Sequence, residues 1–554
     1  MENVTSYIVT AALPYANGPI HIGHLSGVYI PADIYVRYLR INKKKVIFIC
    51  GSDEHGAPIT IRSKKENVSP KKIIDKYHNL NKEYLKKIGI NFNIFFRTSS
   101  LLHKYTVQKF FIELKKKKKF KIYKNDQFYD VKYKHFLSDR YLIGDCPKCN
   151  NKSYGDQCES CGYVLNFNEL KNPKSILSKS KPILRSTKHW YIELNKHQDW
   201  LKYWIFNKKN WKSNIYKQSN SLIDKGLKPR PITRDLEWGI NVPLKNLKNK
   251  VLYVWFDALI GYVSGTKEWI NKNDKNNKDL WKSKKTKLIN FIGKDNIIFH
   301  TIIFPVILKY YDNFILPSNI PTNEFLNIEG RKISTSQNWA IWLNEYIEEF
   351  SNQKNNLKDS LRYNLCINAP EKKDCNFTWK DFQKSNNNEL VFIFGNFVNR
   401  LVTLIGKYFN KSIPKKNNHE YADIKIIIKM KKKIIQINKS IKNFKFKKGI
   451  NLLISILKIG NKYLTKTEPW KNKIRMSTIL NTGINIVGNI GIISNPFLPF
   501  TSKKICSILK LENYYWEDLG KNNLVKIKKI KNLTLLFEKI DNKIIENQEK
   551  KLKT

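Results

Sequence analysis

Four cysteines lie close together in the sequence as two Cys-x-x-Cys pairs, Cys146 with Cys149 and Cys158 with Cys161. Four thiolates at this spacing can hold one Zn²⁺ in a tetrahedral site. Two disulfides or an iron–sulfur site are alternative interpretations of the same spacing. A four-cysteine zinc site has no open position for a reacting group. We therefore expect a structural metal that holds together a segment with little core of its own.

A second group of residues is suited to binding phosphates. His21 and His24 stand one helical turn apart, where a strand-like segment passes into a helix-like one. Imidazoles at such a place can donate hydrogen bonds to phosphate oxygens. Much later in the chain, Lys332 and Ser334 in the loop GRKISTS add a cation and a hydroxyl group. Taken separately, the histidines could be ordinary polar caps and the lysine loop an ordinary solvated turn.

The residues around His21 show alternating strand and helix patterns. Residues 6–13 form a strand-like apolar run, a turn-rich segment follows, residues 27–41 have helical spacing, and residues 45–50 form a second apolar run. This alternation is typical of a parallel α/β sheet, in which a ligand binds at the turn after the first strand. The sequence therefore predicts that His21 and His24 lie at the ligand-binding edge of such a sheet.

The rest of the chain changes pattern twice. From about Lys115, short strands and turns surround the cysteine pairs, and the α/β pattern returns near Pro231, which indicates a sheet domain interrupted by an insertion. Beyond about Asn386 the periodicity is almost purely helical, so the C-terminal third is predicted to be a helical bundle. The last residues, 546–554, are expected to form a frayed end.

The composition limits the class of protein. A chain of 554 residues is too long for one compact core, and its 41% hydrophobic content argues against a disordered or fibrous protein. The net charge of +55, from 101 Lys and Arg against 46 Asp and Glu, favours a nucleic-acid partner. Because the excess is mainly Lys, accompanied by much Asn and Ile, A/T-rich codon usage accounts for roughly half of it, in which case those lysines are simply solvated.

The N-terminus has no basic segment before its apolar run, and no stretch of 18 or more residues lacks charged and amide side chains. We therefore expect a protein that is neither exported nor bound to a membrane. The remaining cysteines are scattered, which fits a reducing, cytoplasmic compartment.

Taken together, LPYANGPIHIGH and GRKISTS resemble the HIGH and KMSKS signatures of class I aminoacyl-tRNA synthetases. Within that class the chain resembles the methionyl-tRNA synthetases over nearly its whole length. The segments AALPYANGPIHIGHLSGVYIPADIYVRY, GSDEHG, YVWFDALIGY, FIGKDNIIFH and GRKISTS follow the order and approximate spacing of that family. The combination is highly specific.

The resemblance implies which residues bind the small substrates. The family's methionine pocket corresponds to Leu13, Tyr15, Asp53, Trp255, Ala258, Tyr262 and His300. In the family the acidic residue holds the ammonium group, and a flexible thioether prefers the apolar and aromatic walls that these residue types provide. The family's ATP site corresponds to His21, His24, Gly293, Asp295, Lys332 and Ser334. His21, His24 and Lys332 would be the catalytic groups, acting on phosphate charge, and Mg²⁺ is expected to accompany ATP.

The resemblance also implies a tRNA-reading surface in the helical region. The family's anticodon-binding residues correspond to Asn396, Arg400, Pro469 and Trp470. Asn396 and Arg400 are four residues apart and share a helix face, and an indole ring can stack on an unpaired base. From spacing alone, an exposed polar pair and a buried core tryptophan are the competing interpretations. The family also has a zinc knuckle in its connective insertion, which agrees with the place of the four cysteines.

The chain departs from the family pattern at three positions. Thr335 stands where the KMSKS signature has its second lysine, so a second cationic contact with the phosphates is missing or comes from elsewhere. Leu259 stands where the family commonly has Pro, and Asn296 where an aliphatic residue is frequent. These two positions affect the detailed shape of the methionine pocket.

The predicted fold is α/β: a Rossmann-type parallel sheet domain split by a zinc-binding insertion, followed by an all-α helical bundle that binds the anticodon. The predicted boundaries are 1–115 and 231–325 for the two halves of the sheet domain, 116–230 for the insertion, 326–385 for the lysine loop and a linker, and 386–554 for the bundle.

The resemblance implies a methionine–tRNA ligase that uses methionine, ATP and tRNA(Met), and a monomer is expected. One rival is a sister synthetase for leucine or isoleucine, although those enzymes usually carry a much larger editing insertion. The other is a non-catalytic, zinc-stabilised RNA-binding protein descended from a synthetase, which only Thr335 favours.

Overall fold

The computed structural model of the chain describes residues 4–553 except 138–140, 156–157, 159, 162, 164, 166–168, 246, 248, 275–279, 312–313, 336, 352–356, 522 and 532–533. It has a parallel sheet with helices, an inserted region of antiparallel strands and a C-terminal set of helices. This is the α/β fold with a helical C-terminal region that the sequence predicts.

The first part of the chain alternates strands and helices, as its hydrophobic pattern indicates. The elements are β1 (Ser6–Ala11), α1 (Ile22–His24), a π-helical stretch (Leu25–Tyr29), α2 (Ile30–Ile41), β2 (Lys45–Ser52), α3 (Ala57–Glu66), α4 (Pro70–Lys87), β3 (Ile94–Arg97) and α5 (Leu101–Lys116). The side chains of Ile8, Val9 and Ala11 in β1 are fully buried, because a central parallel strand is covered on both faces.

The insertion is built from antiparallel strands and two helices. Its elements are β4 (Phe120–Asp130), β5 (His135–Phe136), β6 (Leu142–Asp145), β7 (Lys152–Tyr154), β8 (Lys171–Ser175), β9 (Ile183–Ile192), α6 (Gln198–Phe206), α7 (Ser213–Asp224) and β10 (Arg230–Pro231). A long ribbon of β4 and β9 leads away from the sheet domain and back, and β6 pairs with β7 and β8 in a small sheet beside the cysteines.

The chain then completes the parallel sheet. The elements are β11 (Thr233–Asp235), β12 (Lys250–Leu252), α8 (Val254–Asn273), β13 (Thr286–Gly293), a π-helical stretch (Phe299–Ile303), α9 (Phe304–Tyr311), β14 (Pro317–Asn319) and β15 (Thr322–Asn323). The strand order is β14-β13-β1-β2-β3, with β15 also paired to β13, and all these pairs are parallel. The order reverses between β1 and β13, so ligands are expected beyond the carboxyl ends of these two strands.

A connecting region and the bundle follow. The elements are β16 (Leu326–Ile328), β17 (Arg331–Lys332), α10 (Leu343–Ser351), α11 (Lys358–Ile367), β18 (Cys375–Phe377), α12 (Trp379–Lys384), a π-helical stretch (Ser385–Gly395), α13 (Asn396–Phe409), α14 (Tyr421–Lys442), α15 (Phe446–Thr467), α16 (Met476–Ser494), α17 (Pro499–Ile508) and α18 (Asn542–Lys553). Helices pack closely here: a Cβ on Gly460 of α15 would lie 2.6 Å from the ring of Phe397 on α13, so only glycine fits.

A buried ion pair joins the sheet domain to the connecting region, and its arginine also contacts the bundle. Arg362 of α11 and Asp33 of α2 are both fully buried, with Nη2 and Oδ2 2.7 Å apart. The same guanidinium donates to the carbonyl oxygens of Phe497 at 2.9 Å and Pro496 at 3.2 Å, between α16 and α17. Because α2 continues the helical segment that contains His24, this arginine links α11 and the segment between α16 and α17 to the helix that begins beside the two histidines.

The expectation of a frayed C-terminus is wrong. Residues 542–553 form α18, in which the side chains of Ile545 and Gln548 are buried, and Lys551 forms an ion pair with Glu349 of α10 at 2.7 Å. Charged residues outnumber apolar ones in this segment, so its sequence does not show the narrow apolar face of the helix. That face is evident only in the structure, where α18 packs on other helices.

Two helical stretches have the length and apolar composition of a membrane span, Trp379–Phe409 and Met476–Ser494. The apolar window of the second is 89% buried inside the protein, and that of the first is 39% buried. A core helix has the same length and composition as a span, so these two helices are weak evidence for a membrane.

Candidate active site

His21 and His24 lie side by side at the end of the first strand–turn segment. Their rings are stacked with centroids 3.7 Å apart, and Nδ1 of His24 accepts a hydrogen bond from the backbone N–H of His21 at 3.2 Å. Burial lowers the pKa of His24 to about 4, and burial together with His24 lowers the pKa of His21. Both rings are therefore neutral at pH 7. Because Nδ1 of His24 is an acceptor, its proton is on Nε2, which is a hydrogen-bond donor.

The two signature segments meet in space. A Cβ on Gly23 would lie 2.7 Å from Cδ1 of Ile333, so the turn with the two histidines packs directly on the lysine loop. Backbone hydrogen bonds join Ile22 N to the oxygen of Ile341 at 3.0 Å and Leu343 N to the oxygen of Ile20 at 2.8 Å. The sequence alone could not show this contact, because more than 300 residues separate its partners.

Lys332 lies at the end of β17 with its side chain exposed, next to the turn that follows β13. Its Nζ is 5.4 Å from the ring centroid of Phe325. Burial raises the pKa of Asp295, and the charges of Lys294 and Lys332 partly oppose this increase. Asp295 therefore lies within electrostatic range of Lys332. A Cβ on Gly293 would lie 2.6 Å from Oδ1 of Asp295, so the carboxylate of Asp295 lies directly over this glycine.

Ser334 is the first residue of a tight hairpin. Its backbone N–H donates to the oxygen of Trp339 at 3.0 Å, and Trp339 N–H donates back at 2.9 Å. Thr335 follows within this hairpin, whereas Ser336 lies outside the described residues. Ile333, between Lys332 and Ser334, is the residue of this segment that packs on the turn with the two histidines.

Asp53 lies at the carboxyl end of β2 and is 6% exposed. Its backbone N–H donates to the oxygen of Pro14, and its own carbonyl accepts from Ala16 N–H, each at 2.8 Å, which places it beside Tyr15. Oδ1 has no hydrogen-bond partner among the described residues. Burial and the nearby carboxylate of Asp257 raise the pKa of Asp53 well above its usual value. A buried acid of this kind gains most from an incoming cation.

Two aromatic contacts form the wall beyond Asp53. His300 is neutral, because burial lowers its pKa to about 4. Its Nδ1 donates a hydrogen bond to the backbone oxygen of Asn296 at 3.0 Å, and its Nε2 accepts one from the hydroxyl of Tyr262 at 3.0 Å. The ring of Trp255 lies 4.6 Å from that of Phe299. Asn296, one of the departures from the family pattern, thus orients His300 through its backbone.

A cavity of about 100 Å³ opens beside these residues, and Tyr15, His55, Trp238 and Trp255 are among its lining residues. Leu13 lies two residues before Tyr15 and packs on the main core. Ala258 lies on the helix of Trp255, partly buried. The structure therefore brings Tyr15, Asp53 and Trp255 to one place and Tyr262 and His300 to one contact.

A buried polar chain behind Asp53 was not selected from the sequence. Nδ1 of His55 lies 3.0 Å from Oδ2 of Asp257, and Nε2 of His103 lies 3.9 Å from Oδ1 of the same carboxylate. Nδ1 of His103 is 2.7 Å from the hydroxyl of Ser264. The one sequence signal was Asp257 itself, an acidic residue within the apolar run YVWFDALIGY.

The four sulfur atoms of Cys146, Cys149, Cys158 and Cys161 lie within 4.8 Å of one another. The distances are 3.8 Å between Cys146 and Cys161 and 3.6 Å between Cys149 and Cys158, and none of these cysteines is in a disulfide. Sulfur atoms about 2.3 Å from a tetrahedral zinc ion are about 3.8 Å apart. The cluster can therefore hold a metal ion, and its spacing contradicts the disulfide interpretation.

The residues that the sequence places on the anticodon surface meet on the bundle. The guanidinium of Arg400 on α13 lies 5.4 Å from the ring centroid of Trp470. Nδ2 of Asn396 donates to Oδ1 of Asn461 at 3.4 Å. Asn396 is exposed, Arg400 and Trp470 are partly exposed, and Pro469 is buried. Trp470 is thus available at the surface next to a cation.

The parallel sheet, the paired histidines and the lysine hairpin define a class I aminoacyl-tRNA synthetase. The family described as "tRNA synthetases class I (M)" matches residues 7–402, and the family described as "Anticodon binding domain of methionyl tRNA ligase" matches residues 413–554. The chain belongs to the methionyl-tRNA synthetase family.

Known methionine–tRNA ligases are similar in sequence to this chain over nearly its full length. A methionine–tRNA ligase of Cytophaga hutchinsonii is 50% identical over 560 residues, covering 99% of this chain and 81% of the relative, and one of Bacteroides fragilis is 48% identical over 567 residues, covering 100% and 81%. Mycobacterium tuberculosis methionyl-tRNA synthetase in complex with methionyl-adenylate has a TM-score of 0.78 at 19% identity, covering 96% of this chain and 99% of that one. At that identity the likeness concerns the fold.

Proposed function

We propose that this protein activates L-methionine with ATP to form methionyl-adenylate and transfers the methionyl group to the 3′ end of tRNA(Met). The observation that carries the proposal is the meeting of the histidine turn with the lysine hairpin next to the buried carboxylate of Asp53. The part of this cleft with the histidines and Lys332 suits a triphosphate, and the part with Asp53 suits an amino acid.

His21, His24 and Lys332 bind and stabilise the phosphates. The Nε2–H of neutral His24 donates to a phosphate oxygen. Lys332, at the exposed edge of the cleft, stabilises the negative charge that develops on the leaving pyrophosphate. Gly293, Asp295 and Ser334 bind ATP around them. The methionine carboxylate is the nucleophile and attacks the α-phosphate, so the protein supplies positioning and charge and needs no nucleophile of its own.

Asp53 binds the ammonium group of methionine. Its raised pKa falls when the ammonium arrives, because the cation compensates the neighbouring carboxylate of Asp257. Leu13, Tyr15, Trp255, Ala258, Tyr262 and His300 surround the side chain. His300 offers no free donor on Nδ1, since that nitrogen already donates to Asn296, so the pocket wall remains largely apolar towards the thioether.

The four cysteines bind one structural Zn²⁺, because a closed set of four thiolates suits this ion and leaves no open coordination position. Mg²⁺ accompanies ATP and neutralises phosphate charge. The zinc joins the strands β6 and β7 of the insertion, whose local core is small.

Asn396, Arg400 and Trp470 bind the anticodon, and the buried Pro469 supports the loop that carries the ring of Trp470. The partly exposed ring of Trp470 provides a stacking surface, and the guanidinium of Arg400 beside it can reach the edge of the stacked base. The domain boundaries predicted from the sequence, a monomeric state and a cytoplasmic location belong to the same proposal.

The test is ATP–pyrophosphate exchange with the purified, zinc-loaded protein, run in parallel with methionine, leucine, isoleucine, valine and cysteine. We expect exchange with methionine alone, and charging of tRNA(Met) in a second assay. Exchange with another amino acid would assign the protein to a sister enzyme. Absence of exchange with all five, from folded protein, would leave an RNA-binding protein without catalysis.

A further inference from the structure

The segment GSDEHG contains a second polar residue of the cleft, His55, to which the proposed function gives no role. His55 stands two residues after Asp53, and its backbone N–H donates a hydrogen bond to the carboxyl group of Asp53. The next residue, Gly56, has a φ of 91°, a conformation that favours glycine, where the chain turns from β2 into α3. His55 is thus tied to the carboxyl group that holds the ammonium of methionine.

His55 and Asp257 form a buried imidazole–carboxylate pair. Nδ1 of His55 lies 3.0 Å from Oδ2 of Asp257, and the other oxygen of that carboxylate faces Nε2 of His103 at 3.9 Å. Burial opposes ionisation of Asp257, but the two histidines hold its pKa below the usual value, so the group is a carboxylate at pH 7. A carboxylate only accepts hydrogen bonds. Nδ1 of His55 therefore carries the proton, and Nε2 of the neutral ring is an acceptor.

This pair differs from an ordinary buried ion pair because its imidazole lines a cavity. His55 is among the lining residues of the cavity of about 100 Å³ that also includes Tyr15 and Trp255, and of a separate cavity of about 170 Å³. Trp238 lines both cavities, with its ring centroid 6.2 Å from that of His55, whereas Asp257 is fully buried. With Nδ1 occupied by Asp257, Nε2 is the nitrogen left for a group in the cavity.

An amino acid that is bound through its ammonium group brings its carboxyl carbon to the same part of the cleft. The ammonium and the carboxyl group are attached to one α-carbon, so a ligand held by Asp53 has its acyl carbon close to that residue. His55 donates to the carboxyl group of Asp53 and lines the same cavity as Tyr15. Its imidazole is therefore near the atom at which the acyl group is transferred.

The two chemical steps differ in their need for a base. In activation the nucleophile is the carboxylate of methionine, which has no proton to lose. In transfer the nucleophile is a ribose hydroxyl, whose proton must leave as the new bond forms. A side chain that accepts such a proton typically contributes about 10²–10⁴-fold to the rate. A neutral imidazole with an acceptor nitrogen and a carboxylate behind it is suited to the second step.

We propose that His55 is the general base of the transfer step and that Asp257 is the positioning residue that orients its ring. The inference rests on the proposed function, because the reactants are methionyl-adenylate and tRNA(Met). Nε2 of His55 takes the proton of the ribose hydroxyl while the hydroxyl oxygen bonds to the carbonyl carbon of the adenylate. The bond from that carbon to the phosphate oxygen breaks, and AMP leaves with its electron pair. Asp257 stabilises the imidazolium, which then gives its proton to solvent.

The experiment measures the two steps separately on the zinc-loaded full chain. The variant is His55→Ala, and the control is His197→Ala, which removes an imidazole of the insertion that is hydrogen-bonded to the hydroxyl of Tyr310. Methionyl-adenylate is formed on the protein and mixed with saturating tRNA(Met), and rapid quenching gives the rate constant of transfer. Methionine-dependent ATP–pyrophosphate exchange reports on activation. Both assays are repeated with added imidazole.

We expect His55→Ala to lower the rate constant of transfer about 10²-fold or more, and the rate of exchange about threefold at most. Added imidazole should raise transfer by this variant about tenfold, because a free base can enter the space left by the ring. The control should transfer at the wild-type rate and should not respond to imidazole.

Asp257→Asn tests the positioning role. Its amide can donate to Nδ1 of His55, which leaves the ring proton on Nε2, where it blocks acceptance of a second proton. Transfer should fall about 10²-fold or more, as for His55→Ala, and imidazole should not restore it because the ring still fills its place. Wild-type transfer by Asp257→Asn would contradict the role of Asp257.

Two results would overturn the inference as a whole. One is a rate constant of transfer for His55→Ala within about threefold of the wild type, which would leave the proton to another acceptor, such as the phosphate of the adenylate. The other is an equal loss of exchange and transfer that imidazole does not change, which would mean that His55 acts only through the position of Asp53. If His55→Ala fails to fold, His55→Gln, whose amide can still donate to Asp257, decides by the same ratio of rates. Failure of the proposed function differs from these results, because the wild type would then lack methionine-dependent exchange.

Discussion

In the catalytic cleft three polar side chains are buried, with His21 at 9%, Asp53 at 6% and His300 at 3% exposure, whereas Lys332 at its edge is exposed. On the candidate anticodon surface Asn396 is exposed, and Arg400 and Trp470 are partly exposed. Burial in the cleft changes the chemistry of each group: it keeps the histidines neutral and raises the pKa of Asp53. On the bundle, function depends on which side chains share a helix face.

The two regions thus place different demands on the fold. The cleft needs long-range contacts, such as Gly23 on Ile333, to bring its groups out of water. The bundle needs only rigid helices and the contact of Arg400 with Trp470. We therefore expect changes at the cleft groups that bind methionine and ATP to affect activation of methionine, and changes on the bundle surface to affect tRNA alone.

The largest expected effect concerns the buried ion pair of Arg362 with Asp33, which lies between the sheet domain that forms the cleft and the helices that follow it. Arg362→Leu leaves the buried carboxylate of Asp33 with Arg37, at 2.8 Å, as its remaining partner, and it removes the donor to the carbonyl oxygens of two bundle residues. Removing one member of a buried pair typically costs about 3–5 kcal/mol of unfolding free energy, and because Arg37 remains we expect a loss near the lower end of that range. Urea unfolding followed by tryptophan fluorescence measures the loss. Lys407→Leu, at an exposed lysine of α13, is the control and should change the midpoint little. An equal effect of both substitutions would contradict a special role for the pair.

The next prediction separates the cleft from the bundle by activity. His24→Ala removes a preorganised donor to phosphate, so the rate of ATP–pyrophosphate exchange should fall about 10²–10³-fold, as for the loss of a comparable transition-state donor. Circular dichroism serves as the control for folding. If His24→Ala retained exchange but lost tRNA charging, the division between the two regions would be wrong.

Trp470→Ala tests the same division from the other side. Loss of one stacking surface should lower aminoacylation kcat/KM for tRNA by a factor that corresponds to about 1–3 kcal/mol of binding free energy, and the rate of ATP–pyrophosphate exchange should not change. Tyr203→Ala is the control, because Tyr203 is an exposed ring, at 71%, on α6 of the insertion and outside the helical region. A drop in exchange for Trp470→Ala would show that the surface acts on activation as well.

The sequence predicts the two regions unequally. The apolar runs at β1, β2 and β13, the cysteine spacing and the helical periodicity beyond Asn386 predict the sheet, the insertion and the bundle, because these depend on local patterns. The contact of Gly23 with Ile333 and the pair of Arg362 with Asp33 were not predicted, since each joins residues far apart in the chain.

The prediction for the C-terminus failed for a related reason. The apolar positions of α18, such as Ile545, are outnumbered by charged ones, and only the neighbouring helices show that this face is buried. In the same way, the sequence places His300 in a pocket but cannot show that the ring is neutral, because its pKa depends on the residues that bury it.

The smallest expected effect concerns the pH dependence that these buried histidines impose. A histidine whose pKa falls from its usual value near 6.5 to about 4 on folding contributes stability that is complete above pH 6.5 and is lost as the pH falls towards 4. His300 should therefore cost about 1 kcal/mol of unfolding free energy between pH 7.5 and 5.5. His300→Gln should reduce the dependence of stability on pH by that amount, measured by urea unfolding at the two pH values. Tyr262→Phe is the control, because it removes only the hydrogen bond to Nε2 and leaves the imidazole buried, which is the largest cause of the shift. Equal pH dependence in His300→Gln and the wild type would show that the ring is already hydrated, and the contrast between a buried cleft and an exposed candidate anticodon surface would then fail at this residue.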